Sequence, residues 1–168
     1  MEQCLLEAVL DSWDRHNTIL LNLLRVLPPG GLDARVMDGS PTVSQMFTHM
    51  HYERMVSVAE NASECAGEVP SQEWMPERDA TRLAGSLRES WRLVRNAVKG
   101  RIEAGRALDR DFAHPIQLVP FLIFHEGYHH GQIKSALKAA GTPIHDDVAG
   151  PIVWDVWRSR QVVPADAQ

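Results

Sequence analysis

The sequence predicts an all-α protein, a four-helix bundle with a short C-terminal element. Three observations lead there. Four segments repeat apolar residues at spacings of three and four, proline and glycine bound those segments, and no run alternates well enough to demand a sheet. Each stripe of this kind needs a partner to bury against, and four of them satisfy one another as a bundle.

The first helix is expected from about Glu2 to Leu27. Leu6, Val9, Trp13, His16, Leu20, Leu23 and Leu27 share one face, and Pro28-Pro29-Gly30-Gly31 ends the segment. The second is expected to start with Ser40 as N-cap and Pro41 at the first helical position, and to run to about Cys65. Its apolar face is Val43, Met46, Phe47 and Met50; residues 66–75 read as a loop that Trp74 anchors to the core. The third begins near Asp79, with Leu83, Leu87, Val94, Val98 and Ile102 on one face and Gly100 and Gly105 weakening its end. The fourth has Pro120 in its first turn and continues to Ala140, before Gly141-Thr142-Pro143. A short amphipathic element is expected around Ile152 to Trp157, and residues 116–119 are the one weak strand candidate.

A chain of 168 residues, 44% hydrophobic and 23% charged, fits one globular domain over 1–168 and argues against disorder. No run reaches the ~18–20 apolar residues of a membrane span, and Met1-Glu2-Gln3-Cys4 lacks a basic secretion start, so the expected location is cytoplasmic. Cys4 and Cys65 form no Cys-x-x-Cys pair and read as small hydrophobes. Net charge is −5 with acids and bases mixed, which argues against a surface that tracks nucleic-acid phosphates.

The chemistry is expected from the 8 histidines. His125 and His129 lie four apart on the fourth helix, a rotation of about 40° and a rise of ~6 Å, so both imidazoles can reach one ion. Their stripe also holds Phe121, Leu122, Gln132, Ile133, Ala136 and Leu137, so the rings point inward. Two buried imidazoles without partners would be costly, and a shared metal would give both one. The second helix offers His49 or His51 as a third ligand. They stand about 200° apart, and periodicity alone does not choose between them. His16, on the first helix's buried seam, is a further ligand candidate, though it reads more readily as a hydrogen-bonded core residue or pocket wall; His114, His130 and His145 read as cap, loop or surface residues.

His125-Glu126-Gly127-Tyr128-His129 also matches H-E-x-x-H, the helix of zinc peptidases. The surroundings disagree. Gln132 and Ser135 stand where the extended form needs Gly and His, no glutamate follows Glu126, which leaves only an aspartate such as Asp146 or Asp147 as a downstream ligand, and no convincing sheet edge is available to hold a peptide.

The run His125-Glu126-Gly127-Tyr128-His129-His130-Gly131-Gln132-Ile133 resembles the fourth-helix pattern of the DinB-like superfamily, also grouped as YfiT-like metal-dependent hydrolases. In that pattern H-x-x-x-H is followed closely by Gly-Gln; His130 stands where many members have arginine. Met46-Phe47-Thr48-His49-Met50-His51-Tyr52-Glu53 is similar to the family's second-helix "leucine-x-His" run and aligns His49 with the family ligand. The resemblance extends over the spacing of all four helices. It implies an antiparallel four-helix bundle with an unusual crossover, a metal site of His49, His125 and His129, zinc or nickel as the ion, and frequent homodimers. Characterised relatives include thiol-dependent transferases and an isomerase. The expected activity is therefore metal-dependent transfer or hydrolysis on a small thiol-bearing or electrophilic substrate, with a low-molecular-weight thiol as possible cofactor. The competing expectation is a non-catalytic bundle whose metal is structural or sensory. Glu126 is a candidate general base and Gln132 a candidate partner for a ligand histidine.

Overall fold

The computed structural model describes residues 2–160, and these are all-helical, with no strand among them. The long helices are α1 (Glu2–Arg25), α2 (Val43–Asn61), α3 (Ala80–Glu103) and α4 (Leu118–Ala139). α1 and α2 each pack against both α3 and α4. Among the described residues no helix is long and apolar enough to cross a membrane.

The starts and stops follow local chemistry. α1 ends two residues before the expected Leu27, ahead of a turn in which Gly30 takes φ 78°, where a Cβ would be strained. α2 begins at Val43 rather than Pro41. Its cap is Thr42, whose hydroxyl accepts from Gln45 N–H while the Gln45 side-chain oxygen accepts from Thr42 N–H. That reciprocal pair outcompetes Ser40-Pro41. α2 stops at Asn61, and Cys65 lies in a separate 3₁₀ turn, Ser63–Cys65. Asp79 caps α3 by accepting from Thr81 and Arg82 N–H, and the helix runs through Gly100 to Glu103. The weak strand candidate is instead a 3₁₀ turn, Pro115–Gln117, that leads into α4; His114 caps it, its Nδ1 accepting from Ile116 N–H at 3.2 Å.

The C-terminal segment forms three helical turns, Asp146–Ala149, a π-type turn Gly150–Trp154, and Asp155–Arg158. It lies on α1, where Arg15 Nη1 donates to the carbonyls of Val156 (2.6 Å) and Ser159 (2.8 Å). The last helical turn ends at Arg158, and the guanidinium donates to carbonyls at that end. Cys4 is exposed and Cys65 half-buried, both as free thiols.

The core is divided. One apolar cluster gathers Leu20, Leu23, Phe47, Met50, Leu87 and Ile133; the other gathers Leu6, Trp13, Val58, Val94, Leu118 and Leu122. On every long helix a polar residue sits between the two clusters: His16 and Asn17 on α1, Arg54 on α2, Ser90 on α3 and Glu126 on α4, all buried. Arg54 and Glu126 are 0% exposed and pair twice, Nε to Oε1 at 2.6 Å and Nη2 to Oε2 at 2.7 Å. Arg54 Nη1 donates to Asn17 Oδ1 and to the Leu87 carbonyl, both at 3.0 Å, and its guanidinium lies 4.6 Å over the Trp13 ring. His16 Nε2–H completes the layer by donating to Glu126 Oε2 at 2.9 Å. A buried charge pair is tolerable only when its remaining donors and acceptors are met, and here they are. The layer ties all four helices at one height. It therefore fixes how α2 sits against α4.

Candidate metal centre

The site is built where α2 meets α4. His49, His125 and His129 each offer a ring nitrogen, and these nitrogens lie within 4.8 Å of one another. His125 Nε2 is 3.1 Å from His49 Nε2 and 3.2 Å from His129 Nε2. Nitrogens ~2.1 Å from one ion stand about 3.0 Å apart at right angles and about 3.4 Å apart at the tetrahedral angle. The observed spacings lie between those values. Lone pairs aimed at one point repel unless a proton or a cation stands among them. The donor set thus fits a divalent ion.

The far sides of two rings are oriented. His129 Nδ1–H donates to Gln132 Oε1 at 2.8 Å, which leaves Nε2 free to face the centre. Gln132 stands one turn on from its partner, so the bond is a consequence of helical spacing. His49 Nδ1 lies 2.9 Å from Glu73 Oε1, though off the direction of a well-formed hydrogen bond. Trp74 stacks on the His49 ring at 4.0 Å and 6°, and packs against the first apolar cluster. The loop after α2 therefore clamps the ring from two sides. His125 Nδ1 is buried without a hydrogen-bond partner among the described residues.

Burial holds His49 and His129 in the neutral, ligating form. For His49, burial first and then the neighbouring His129 and His125 lower the pKa to about 4. His129 is lowered by burial and by His125, against the opposing bond to Gln132. Between pH 6.5 and about 4 the unfolded chain consequently binds more protons than the folded one, so acid favours unfolding in that window. The metal-free protein should show a melting midpoint that falls as pH drops from 7 to 4. A His49→Phe variant should show a weaker decline, and an equal decline would contradict this assignment.

The other candidates stand elsewhere. Glu126 lies between His125 and His129 in sequence but turns to Arg54 and His16. Burial alone would raise its pKa; the Arg54 charge, the Arg54 hydrogen bonds and the His16 bond outweigh that and hold it at about 2. Both of its oxygens are occupied. His16 joins this network and is outside the cluster. His51 is half-buried on another side of α2, its pKa lowered by burial, with Glu89 and Arg54 among its charged neighbours. His130 is not a surface residue: it is half-buried, its Nε2 has no hydrogen-bond partner among the described residues, and burial lowers its pKa to about 4.

The sequence reading missed Glu73, the stacking of Trp74, and Arg54. Nothing in the loop's composition marks Glu73. Arg54 had one available signal: it follows Met50 by four residues, which places it on the apolar face of α2. Comparison with protein-family models, curated proteins and solved structures gives no match for this chain.

Proposed function

We propose that this chain is a metal-dependent enzyme with the antiparallel four-helix architecture of the DinB-like superfamily. In this reading His49, His125 and His129 hold one divalent ion, zinc or nickel, and the reaction is transfer or hydrolysis on a small thiol-bearing or electrophilic substrate. The observation that carries it is the convergence of three Nε2 atoms from two helices, with 3.1 and 3.2 Å between neighbours. Bound there, the ion would supply Lewis acidity, activating a thiol or water or polarising an electrophile.

The residues around it have separable tasks. Three neutral imidazoles leave the ion's charge uncompensated and, among the described residues, supply three protein ligands rather than the four of a closed structural site. That ligand number favours the enzyme over the structural or sensory alternative. Gln132 orients His129 and the stacked Trp74 orients His49, with the Glu73 carboxylate beside its Nδ1. Glu126 acts at a distance in this reading: with Arg54 it holds α2 and α4 in the register that brings His49 to His125. It is a positioning residue rather than the general base. A low-molecular-weight thiol as second substrate and a homodimer as assembly complete the proposal on the strength of the family resemblance.

Metal analysis tests the centre. Wild-type protein loaded with zinc and freed of excess should retain about one equivalent. His49→Ala, His125→Ala and His129→Ala should each retain far less, while His51→Ala keeps the wild-type content. Retention by the His49 variant with loss by the His51 variant would reverse the ligand assignment.

A further inference from the structure

The water-facing side of α3 carries charge, as an exposed helix face usually does: Arg82, Arg88, Glu89, Arg92 and Lys99 are all exposed. α4 differs. From Pro120 to Ser135 its exposed positions are proline, glycine, serine and the aromatics Phe121, Phe124 and Tyr128, with no charged side chain among them. The three aromatics are 38%, 78% and 62% exposed. Their spacing of three and four places them on one stripe, beside the stripe that carries His125 and His129.

Each member of the histidine cluster has an aromatic neighbour. Phe121 lies nearly parallel to His125, 6.3 Å away and 13° from its plane. Tyr128 meets His129 edge-on at 5.3 Å, and Trp74 covers His49 at 4.0 Å. Phe112 stands against Phe121 at 5.4 Å and is the one non-glycine among the described residues with positive φ, 63°. A bulky side chain adopts that backbone only where its surroundings hold it there. An uncharged aromatic shelf thus adjoins the centre.

We infer that the substrate carries a flat aromatic ring beside its metal-binding atom, and that Phe121 and Tyr128 select it. This rests on the metal-centre reading above and adds the substrate class to it. Exposed apolar patches mark interaction surfaces, and aromatic side chains beside a few convergent polar groups are the usual lining of a small-molecule site. A strongly hydrated or anionic substrate would find no counter-charge on the stripe of Phe121, Phe124 and Tyr128. The carboxylate nearest the cluster by contact, Glu73, would repel an anion. An aryl ring would instead gain contact with Phe121 and Tyr128 in stacked or edge-on geometry.

The test uses cobalt(II)-loaded protein, because imidazole donors suit cobalt and its visible spectrum reports a new ligand. Imidazole and 4-phenylimidazole are titrated, and each affinity is referred to that for aqueous cobalt. The phenyl compound should bind about tenfold tighter or better, the gain expected from covering one aromatic ring. Phe121→Ala and Tyr128→Ala should each cut that ratio severalfold while cobalt content and imidazole affinity hold. Trp154→Ala, an exposed aromatic on the C-terminal segment, should leave it unchanged. A wild-type ratio near one, or a ratio untouched by both variants, overturns the inference while leaving the metal centre intact. An untouched ratio accompanied by dissociation of a dimer in sedimentation would identify the shelf as a subunit interface instead. Failure of the wild type to take up cobalt would overturn the metal-centre reading and this inference together.

Discussion

Glu126→Ala should destabilise the fold by about 3–5 kcal/mol, because it leaves the Arg54 guanidinium buried without its carboxylate. For a chain of this size the melting midpoint should fall by roughly 6–20 °C. Arg54→Ala should cost a similar amount, since it strands the carboxylate instead. The double change Arg54→Met with Glu126→Leu should recover much of the loss, because apolar side chains of similar volume owe no desolvation penalty. The ion pair also sets an acid limit. Glu126 is held at about 2 in the folded chain, below its ordinary value, so its contribution is complete at neutral pH. It is lost as pH falls from the ordinary carboxylate range towards 2. A Glu126→Ala protein that melts like wild type would show that the carboxylate is not structural, and would return it to consideration as a base.

Saturating zinc should stabilise the wild type by about 4 kcal/mol when free zinc is a thousand times Kd. That corresponds to a rise of roughly 8–16 °C in melting midpoint. His129→Ala should abolish most of the rise, because it removes one Nε2 donor and strands the Gln132 carbonyl oxygen. His51→Ala should keep the full rise, since His51 is outside the cluster. The two effects separate cleanly. Zinc should still raise the midpoint of an Arg54→Met, Glu126→Leu protein, because neither residue belongs to the cluster and the apolar pair keeps α2 packed against α4. A rise of equal size in wild type and in His129→Ala would mean that zinc binds elsewhere.

Which of these features the sequence displays depends on whether the cause is local. The extents of α1, α3 and α4 follow from stripes and breakers within each segment, and Asp79 is legible as a cap because its acceptor serves N–H groups two and three residues on. α2 is harder. It is buried on several sides, with Ser44, Met50, Met55 and Val58 all inside, so no single stripe says which way His49 or His51 points. The same lack of a clear polar face hides Arg54, although its place one turn after Met50 is a usable sign. The pairing of Arg54 with Glu126 joins residues 72 apart on different helices, and no periodicity within either helix encodes it. Glu126 itself stands about 100° from His125 and 60° from His129, an angle that reads equally well as a base, a surface acid or a core partner. Packing decides among those, and packing is a property of four helices together. His125 with His129 is the opposite case: one helix holds both residues and their spacing alone brings the rings together.

The central claim is that three imidazoles share one ion. Crystals of the wild type grown with zinc, measured on both sides of the zinc absorption edge, locate the metal directly. An anomalous peak should appear about 2.1 Å from Nε2 of each of His49, His125 and His129. A peak elsewhere, or the three rings closed on one another with no peak among them at saturating zinc, would contradict it.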